Sequence, residues 1–455
     1  MGTQKKIACI GAGYVGGPTM AVIAYKNPKC VVTVVDINQE RIDVWNSDTL
    51  PVYEPGLNEI VKKVRGKNLF FSTDVDKAIA ENDIIFIAVN TPTKDYGVGQ
   101  NMAADLQHWE TIARQIRDVA TSDKIIVEKS TLPVKTAEAM EIILNTGSDF
   151  HFEVISNPEF LAEGTAVSDL LDPDRVLIGS RETESGQKAK DELFEIFNAW
   201  IPQEKIITTN TFSAELSKLV SNAFLAQRVS SINAISAVCE ATGADVQEVS
   251  KAVGADSRIG SKFLNASVGF GGSCFRKDIL NLVYICHMNH LHEVATYFEN
   301  IINMNHFQMQ RFVDNVVRSM FNTVAGRKIC IFGCAFKADT DDVRESPAIP
   351  VAQTLIAEKA KLVISDPKAM DNMKEVLGDP KNVDFVADPY EAAKDSHAIL
   401  IITEWPVYST LDYQKLFDVM VKPAYLFDGR NMVNRNACFN IGFNVHSIGK
   451  KALIH

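Results

Sequence analysis

Lys6-Ile-Ala-Cys-Ile-Gly-Ala-Gly-Tyr-Val-Gly16 opens the chain and decides its fold. Five residues of mostly apolar character read as a buried strand, and Met20 to Tyr25 continue as an apolar helix. Between them the glycines fall at G-x-G-x-x-G spacing. That spacing alone is weak evidence, but strand, fingerprint and helix in this order specify a dinucleotide site. The first glycine makes the turn, the second admits a pyrophosphate, and the third lets helix and strand pack closely. The helix N-terminus then faces the phosphates. Gly11, Ala12, Gly13, Tyr14, Val15 and Gly16 are therefore cofactor candidates. The next strand, Val31 to Val35, ends at Asp36, about 20 residues past the last glycine, where an acid accepts the ribose hydroxyls and repels a 2′-phosphate. This favours NAD over NADP. Arg41 is a complication, because a nearby arginine can serve a 2′-phosphate.

Outward from this unit, strand-like runs alternate with helical ones at Leu69–Phe71, Asp83–Val89, Lys124–Val127, Phe152–Ile155 and Arg175–Gly179. The alternation predicts a doubly wound parallel sheet. Ligands in such sheets sit beyond the strand C-termini, which directs attention to three turns. They are Asn90-Thr-Pro-Thr-Lys94, Glu128-Lys-Ser-Thr-Leu-Pro133 and Ser156-Asn-Pro-Glu-Phe-Leu-Ala-Glu163. Each alone reads equally well as an ordinary capped turn; three on one sheet edge favour a site.

From Phe212 to Thr242 apolar residues recur at helical spacing without Pro or Gly, a helix of about 30 residues and about 45 Å. Lys218 and Asn222 share one of its faces. A solvated polar pair would explain them, but their apolar neighbours favour a buried lysine suited to proton transfer. Further helices are expected at Val246–Val253 and His292–Phe321, and long helices between two α/β halves commonly carry subunit contacts. Gly269-Phe-Gly-Gly-Ser-Cys-Phe-Arg-Lys-Asp278 precedes another helical run. A cysteine entering a helix beside Arg276 and Lys277 sits in a field that favours the thiolate, with Asp278 one turn on. A Gly-rich turn around an inert buried cysteine is the alternative. His287-Met-Asn-His290-Leu-His292 lacks partner ligands at metal spacing, and a helix C-terminal turn accounts for it; no metal is assigned.

Lys328-Ile-Cys-Ile-Phe-Gly333 repeats the opening strand and begins a second parallel-sheet pattern, continued by Lys361–Asp366, His397–Ile402 and Tyr425–Asp428. Its fingerprint keeps one glycine, so a second dinucleotide is not expected, although the strand-end crevice suits another nucleotide. Ser346 before Pro347 reads as a helix start, N-cap then first turn. Arg344 reaches either a phosphate or the carboxylates of Asp341 and Asp342. Signals fade after Gly442, and the tail Lys450–His455 is expected to be loose.

Composition bounds these readings. The chain has 455 residues, 46% hydrophobic and 23% charged, enough for two or three domains. A net charge of −11 argues against a nucleic-acid or anionic-membrane binder. Eight cysteines without paired spacing suit a reducing compartment. Met1 leads straight into a strand, with no secretory signal, and no apolar run reaches the roughly 18 residues of a span. A cytoplasmic enzyme is expected. Its divisions are 1–210 (NAD-binding, Rossmann), 211–324 (helical, dimerisation and catalysis) and 325–455 (Rossmann-like).

Taken together, Gly11–Thr19, Asn90–Lys94, Glu128–Thr131, Ser156–Gly164, Gly269–Phe275, Phe336-Lys337, Arg344-Glu-Ser346 and Phe427–Arg430 resemble the UDP-glucose 6-dehydrogenases, a nucleotide-sugar dehydrogenase family, and most nearly those of animals. The resemblance runs in order over nearly the whole chain. It implies oxidation of UDP-glucose to UDP-glucuronate with two NAD⁺, in a homo-oligomer built from dimers, up to a hexamer. Position by position, it implies Cys274 as nucleophile, Lys218 as acid and base, and Asn222 as oxyanion partner. Asp278, Glu159 and Thr131 place or activate water. NAD is held by Gly11–Gly16, Asp36, Arg41, Val89, Asn90, Thr91, Pro92, Thr93, Ser130, Thr131, Glu163, Phe275, Arg276, Lys277 and Arg344. The UDP-sugar is held by Glu159, Phe160, Leu161, Ala162, Glu163, Lys218, Asn222, Gly269, Phe270, Gly271, Phe336, Lys337 and Arg430, with Arg258 reaching a neighbouring subunit. Asn265 departs from the animal pattern, which has a lysine there. Two rivals stand beside this: a dehydrogenase for another nucleotide sugar (UDP-N-acetylmannosamine or GDP-mannose), and a non-catalytic NAD-binding regulator, which would have lost Cys274 or Lys218.

Overall fold

The computed structural model describes residues 4–378 and 380–455. It forms two compact units, Met1–Ser221 with Leu280–Ile285, and Asn222–Ile279 with Cys286–His455.

The first unit is built on eight strands: β1 (Lys6–Ile10), β2 (Val31–Val35), β3 (Leu69–Ser72), β4 (Ile84–Ile87), β5 (Lys124–Glu128), β6 (Phe152–Ser156), β7 (Val176–Ser180) and β8 (Ile206–Asn210). Their spatial order is β3-β2-β1-β4-β5-β6-β7-β8. The first six positions have the order of a dinucleotide-binding sheet, with the topological switch between β1 and β4. Alternate residues of each strand face opposite ways. Ile7 and Cys9 of β1 therefore join one apolar layer with Met20 and Ile23. Ala8 and Ile10 join the other with Trp109 and Ile116. Helices cover both faces, which is why these strands read as continuous apolar runs.

One pairing departs from the expected all-parallel sheet: β6 meets β7 antiparallel, through Ser156 and Gly179. The helix joining them, Ala166–Leu171, has six residues and rises only about 9 Å. That is short of the roughly 17 Å of a five-residue strand it would have to return along. The 15-residue helix Glu184–Asn198 does make the return, and β8 pairs parallel to β7.

The second unit repeats the pattern with β9 (Lys328–Phe332), β10 (Lys361–Ser365), β11 (Val383–Phe385), β12 (Ala398–Ile401), β13 (Tyr425–Asp428) and β14 (Asn444–Ser447). The order β11-β10-β9-β12-β13-β14 is all parallel and has the same switch, here between β9 and β12. β14 and the tail overturn the expectation of a loose C-terminus. His446 stacks on Phe427 with ring centroids 4.7 Å apart, and burial pushes its imidazole down to about 4. Leu453 bridges Val445, the His455 amide donates to Asn444 at 2.9 Å, and its ring stacks on Phe439.

A helix of 32 residues, Thr211–Thr242, runs from the first unit into the second. Val246–Gly254 and His292–Ser319 are further helices of the second unit, and Phe275–Met288 is divided between the two, with Leu280–Ile285 counted in the first. The His287–His292 stretch is a helix C-terminal turn: His290 takes a φ of 59°, and the Leu291 amide returns to Cys286 O at 2.9 Å.

Candidate active site

In the first unit the glycine loop fits a dinucleotide for steric reasons. A Cβ at Gly11 would stand 2.5 Å from Ala88 O, and one at Gly16 would strike Gly11 O. At Gly13, by contrast, the space is open to 4 Å, where a pyrophosphate has to approach the backbone. The helix Gly16–Lys26 starts there with no side-chain cap, so its first amides point outward for an anion. Asp36 is buried at the end of β2. It accepts from the Ala12 amide at 3.0 Å and the Asn38 amide at 3.0 Å, and pairs with Arg41 at 3.1 Å. Arg41 thus lies against the acid and not apart from it.

The turns after β4 and β5 are tied together. Ser130 Oγ donates to Val89 O at 2.7 Å, and Thr91 Oγ1 donates to Thr131 O at 3.1 Å. The loop after β6 is anchored by a residue that sequence reasoning missed, Glu54. Its buried carboxylate accepts from the Gly164 amide at 2.7 Å, the Ala166 amide at 3.0 Å and the Tyr14 hydroxyl. It therefore joins the glycine loop to the Glu159–Glu163 loop. Only its closeness to Tyr14 in space betrays it, and no local motif does.

Lys218 is buried, and its Nζ lies 3.3 Å from Glu159 Oε1 and 5.4 Å from the centre of the Phe160 ring. Arg175 covers the same ring at 3.7 Å and donates to Ser221 Oγ. Lys129 lies close by, its Nζ 3.0 Å from Asn157 Oδ1, and burial lowers it to about 8. One turn before Lys218, Glu215 accepts from the Lys135 and Ala137 amides at 2.8 and 2.9 Å, holding the start of the Thr136–Asn145 helix. Burial raises Glu215 to about 7, and raises Glu128 above the usual carboxylate range. Among the described residues, no donor reaches either Glu128 oxygen.

This pair carries a stability prediction. A carboxyl whose folded pKa is raised stabilises the protein fully below its unfolded value of 4.5, and that contribution is lost as pH rises through about 7. Glu128→Gln keeps the shape and removes one titration. The fall in Tm between pH 5 and pH 8, followed by circular dichroism, should shrink in the variant; an unchanged fall would refute this assignment.

The second unit carries the cysteine. Cys274 is exposed and immediately precedes the Phe275–Met288 helix. The Asp278 amide closes the first turn on Cys274 O at 2.9 Å. Asp278 is buried, and its carboxylate accepts from Asn222 Nδ2 at 2.6 Å. Being exposed, Cys274 is not the buried cysteine of the alternative reading. Phe270 packs edge-on against Phe275, their ring centroids 5.5 Å apart. The glycines are steric necessities: a Cβ on Gly271 would meet Glu345 O at 2.5 Å, and one on Gly272 would meet the Phe336 ring at 3.0 Å. Lys337 Nζ stands 5.6 Å from the Phe336 ring centroid. Arg430 is largely buried and donates to Ile402 O and Phe336 O.

Other expected residues are engaged as follows. Arg344 makes a bidentate pair with Asp342, one of the two carboxylates considered, with bonds of 2.6–2.9 Å. Arg276 pairs with Glu345 at 3.3 Å. Arg258 is exposed and folds back on Asp256. Asn265 is exposed. The Ala348–Ala357 helix begins one residue later than expected: Pro347 holds the N-cap position, while Ser346 Oγ accepts from the Ala348 amide.

A dinucleotide sheet ending in an acid and a thiol at a helix N-terminus are the equipment of an NAD-dependent oxidoreductase. Comparison with known proteins narrows the class. Residues 5–200, 212–307 and 330–435 match the NAD binding, central and UDP binding domains of the UDP-glucose/GDP-mannose dehydrogenase family. The chain belongs to that family. It is 60% identical to UDP-glucose 6-dehydrogenase 1 of Glycine max, covering 98% of this chain and 97% of that protein. It is 59% identical to UDP-glucose 6-dehydrogenase 4 of Arabidopsis thaliana, with the same coverage. These two relatives are plant proteins, whereas the motifs resembled animal enzymes. Among solved structures, a UDP-glucose dehydrogenase from Pyrobaculum islandicum superposes with a TM-score of 0.86 at 30% identity, covering 99% of this chain and 98% of that one.

Proposed function

We propose that the protein oxidises UDP-glucose to UDP-glucuronate, reducing two NAD⁺. The observation that carries this is the identity of about 60% to UDP-glucose 6-dehydrogenases over almost the full length of both chains. Bound NAD⁺ supplies the hydride acceptor for both oxidations. Lys218 takes the C6 hydroxyl proton as the first hydride leaves, giving an aldehyde. An aldehyde does not readily release a second hydride. The Cys274 thiolate therefore adds to its carbon, forming a C–S bond and a tetrahedral alkoxide. Lys218 and Asn222 donate to that oxygen. Loss of the second hydride leaves a thioester. Water, placed by Thr131 and Asp278 and deprotonated by Glu159, breaks the C–S bond and returns the thiol. Lys218 Nζ lies 3.3 Å from Glu159 Oε1, so a proton can pass between the two and leave the amine able to accept from the substrate hydroxyl.

In this proposal Gly11–Gly16, Asp36, Arg41, Val89–Thr93, Ser130, Glu163, Phe275–Lys277 and Arg344 hold NAD. Phe160–Glu163, Gly269–Gly271, Phe336, Lys337 and Arg430 hold the UDP-sugar. Residues 1–210, 211–324 and 325–455 act as NAD-binding, central and UDP-sugar segments. We place the enzyme in the cytoplasm. In support, no disulfide joins any of the eight cysteines among the described residues, and no described helix is long and apolar enough to cross a membrane.

The partner we propose is a second copy of the chain, with dimers assembling up to a hexamer. Phe224 and Val238 of the Thr211–Thr242 helix are both 54% exposed, and Tyr297 of the His292–Ser319 helix is 53% exposed. We take these exposed apolar side chains as positions that a second copy covers. Arg258→Ala should raise KM for the nucleotide sugar by about tenfold, the value of one charge-assisted contact, with NAD binding unchanged. Full activity in demonstrably monomeric enzyme would contradict the shared site.

The function is tested by recording NADH formation with a panel of UDP-glucose, UDP-N-acetylmannosamine and GDP-mannose. UDP-glucose should be preferred, and NAD should exceed NADP by about a hundredfold in kcat/KM, or roughly 2.7 kcal/mol. Turnover of another sugar alone would reassign the substrate. Equal use of NADP would mean that Arg41 outweighs Asp36.

A further inference from the structure

The backbone that leads to Cys274 belongs to neither helix nor strand. Residues 264–272 have no ladder of their own, yet they are mostly buried, so their amides and carbonyls need partners from elsewhere. Buried carboxamide side chains provide them. Asn233 Oδ1 accepts from the Ser267 amide at 2.8 Å, and Gln308 Nε2 donates to Ser267 O at 2.7 Å. The Val268 amide reaches Gly429 O at 3.1 Å. Nearest the cysteine, Asn305 holds both polar groups of one residue. Its Oδ1 accepts from the Phe270 amide at 2.9 Å, and its Nδ2 donates to Phe270 O at 2.9 Å. Asn305 is 5% exposed.

The fit is tight. A Cβ at Gly269 would stand 2.9 Å from Asn305 Oδ1, so the glycine lets the carboxamide reach the chain. Beyond Phe270, the Gly272 amide bonds to Arg344 O at 2.9 Å, and Cys274 follows two residues later. Asn305 and Gln308 lie three residues apart on one face of the His292–Ser319 helix. They do different work. Gln308 is also bonded to Arg311, which pairs with Glu240, so it belongs to a broader network. Among the described residues, the Asn305 side chain hydrogen-bonds to Phe270 of the nucleophile loop and to no other residue.

We propose that Asn305 is a positioning residue for the oxidation, clamping both polar groups of Phe270 so that the Gly271–Ser273 turn presents Cys274 in one place. The inference rests on Cys274 being the nucleophile, and its test is separable from that assignment. The charged or titratable neighbours of this carboxamide are Arg276, Glu345 and His306, which line the same cavity of about 240 Å³. Parent and variant share these neighbours, so each rate is expressed as a ratio to the parent.

Three variants decide it: Asn305→Asp, Asn305→Ser and Gln308→Ala. In Asn305→Asp the carboxylate accepts from the Phe270 amide but repels Phe270 O, whereas a protonated carboxyl at that position both accepts and donates. At pH 8, kcat should fall about thirtyfold, within the range produced by misplacing a reacting group by about 1 Å, with KM for both ligands little changed. The ratio to the parent should recover as pH falls toward 5.5. Alkylation of Cys274 by iodoacetamide without substrate, followed by peptide mass spectrometry, should change in rate in Asn305→Asp and Asn305→Ser. In Gln308→Ala, Tm should fall as far while kcat and alkylation hold. A pH-independent ratio, or a loss of kcat in Gln308→Ala that matches the Asn305 variants, would reduce Asn305 to a structural residue. If Asn305→Asp does not fold, Asn305→Ser decides through kcat and alkylation, and parental values for both would overturn the proposal. Carboxylate formation by Cys274→Ser would instead overturn the nucleophile assignment, while the alkylation result would still report on the clamp.

Discussion

Cys274→Ala should lower carboxylate formation by about a thousandfold or more, roughly 4 kcal/mol of barrier at 1.36 kcal/mol per tenfold. Without the sulfur no tetrahedral adduct forms on the protein, and the aldehyde is left to slow hydration. The first oxidation needs no thiol, so its hydride transfer should be less affected. The fold should survive, because Cys274 is exposed and precedes the first residue of its helix. Alanine there loses little packing, and the Asp278 amide still closes the first turn on the backbone carbonyl. Rapid-quench product analysis checks the split. Acid formation at the parental rate would return the thiol to a bystander.

Lys218→Ala has the second largest expected effect, and a different signature. Lys218 is charged with two proton movements and with donation to the oxyanion, and one such donor removed costs about a hundredfold to a thousandfold in kcat. Both roles precede the thioester, so the loss should fall on NADH formation itself, with no added mass on the peptide containing Cys274. The substitution also strands Glu159, whose Oε1 lies 3.3 Å from the lysine Nζ. A buried charge that loses its partner costs about 3–5 kcal/mol unless it takes up a proton. Tm must therefore be measured beside kcat. Glu159→Gln with Lys218→Ala removes the stranded charge: stability should return in the double variant and activity should not. Recovery of activity would show that the lysine acted only by neutralising the glutamate.

Sequence carried much of this because the signals were local. Lys6 to Asp36 holds strand, glycine spacing, helix and acid in one stretch, and each was found where the spacing required it. The Phe212–Thr242 periodicity was readable because no Pro or Gly interrupts it. Illegible features depended on partners far along the chain. Glu54 looks like any surface acid until Gly164 and Tyr14 fold around it. Asn305 sits among polar residues on a long helix, and only the fold brings Phe270 to it. β14 reads as polar, Asn-Val-His-Ser, and becomes a strand because Phe427 and Tyr425 cover His446. The antiparallel β6–β7 contact follows from a helix too short to return the chain, a length that periodicity does not register.

The central claim is that one polypeptide carries out two successive oxidations by holding the intermediate on Cys274. The direct measurement is the number of NADH formed per UDP-glucose consumed, taken together with the mass of the sugar product. Two NADH per sugar, a carboxylate product and no released aldehyde are predicted. One NADH per sugar with an aldehyde in solution would contradict the account.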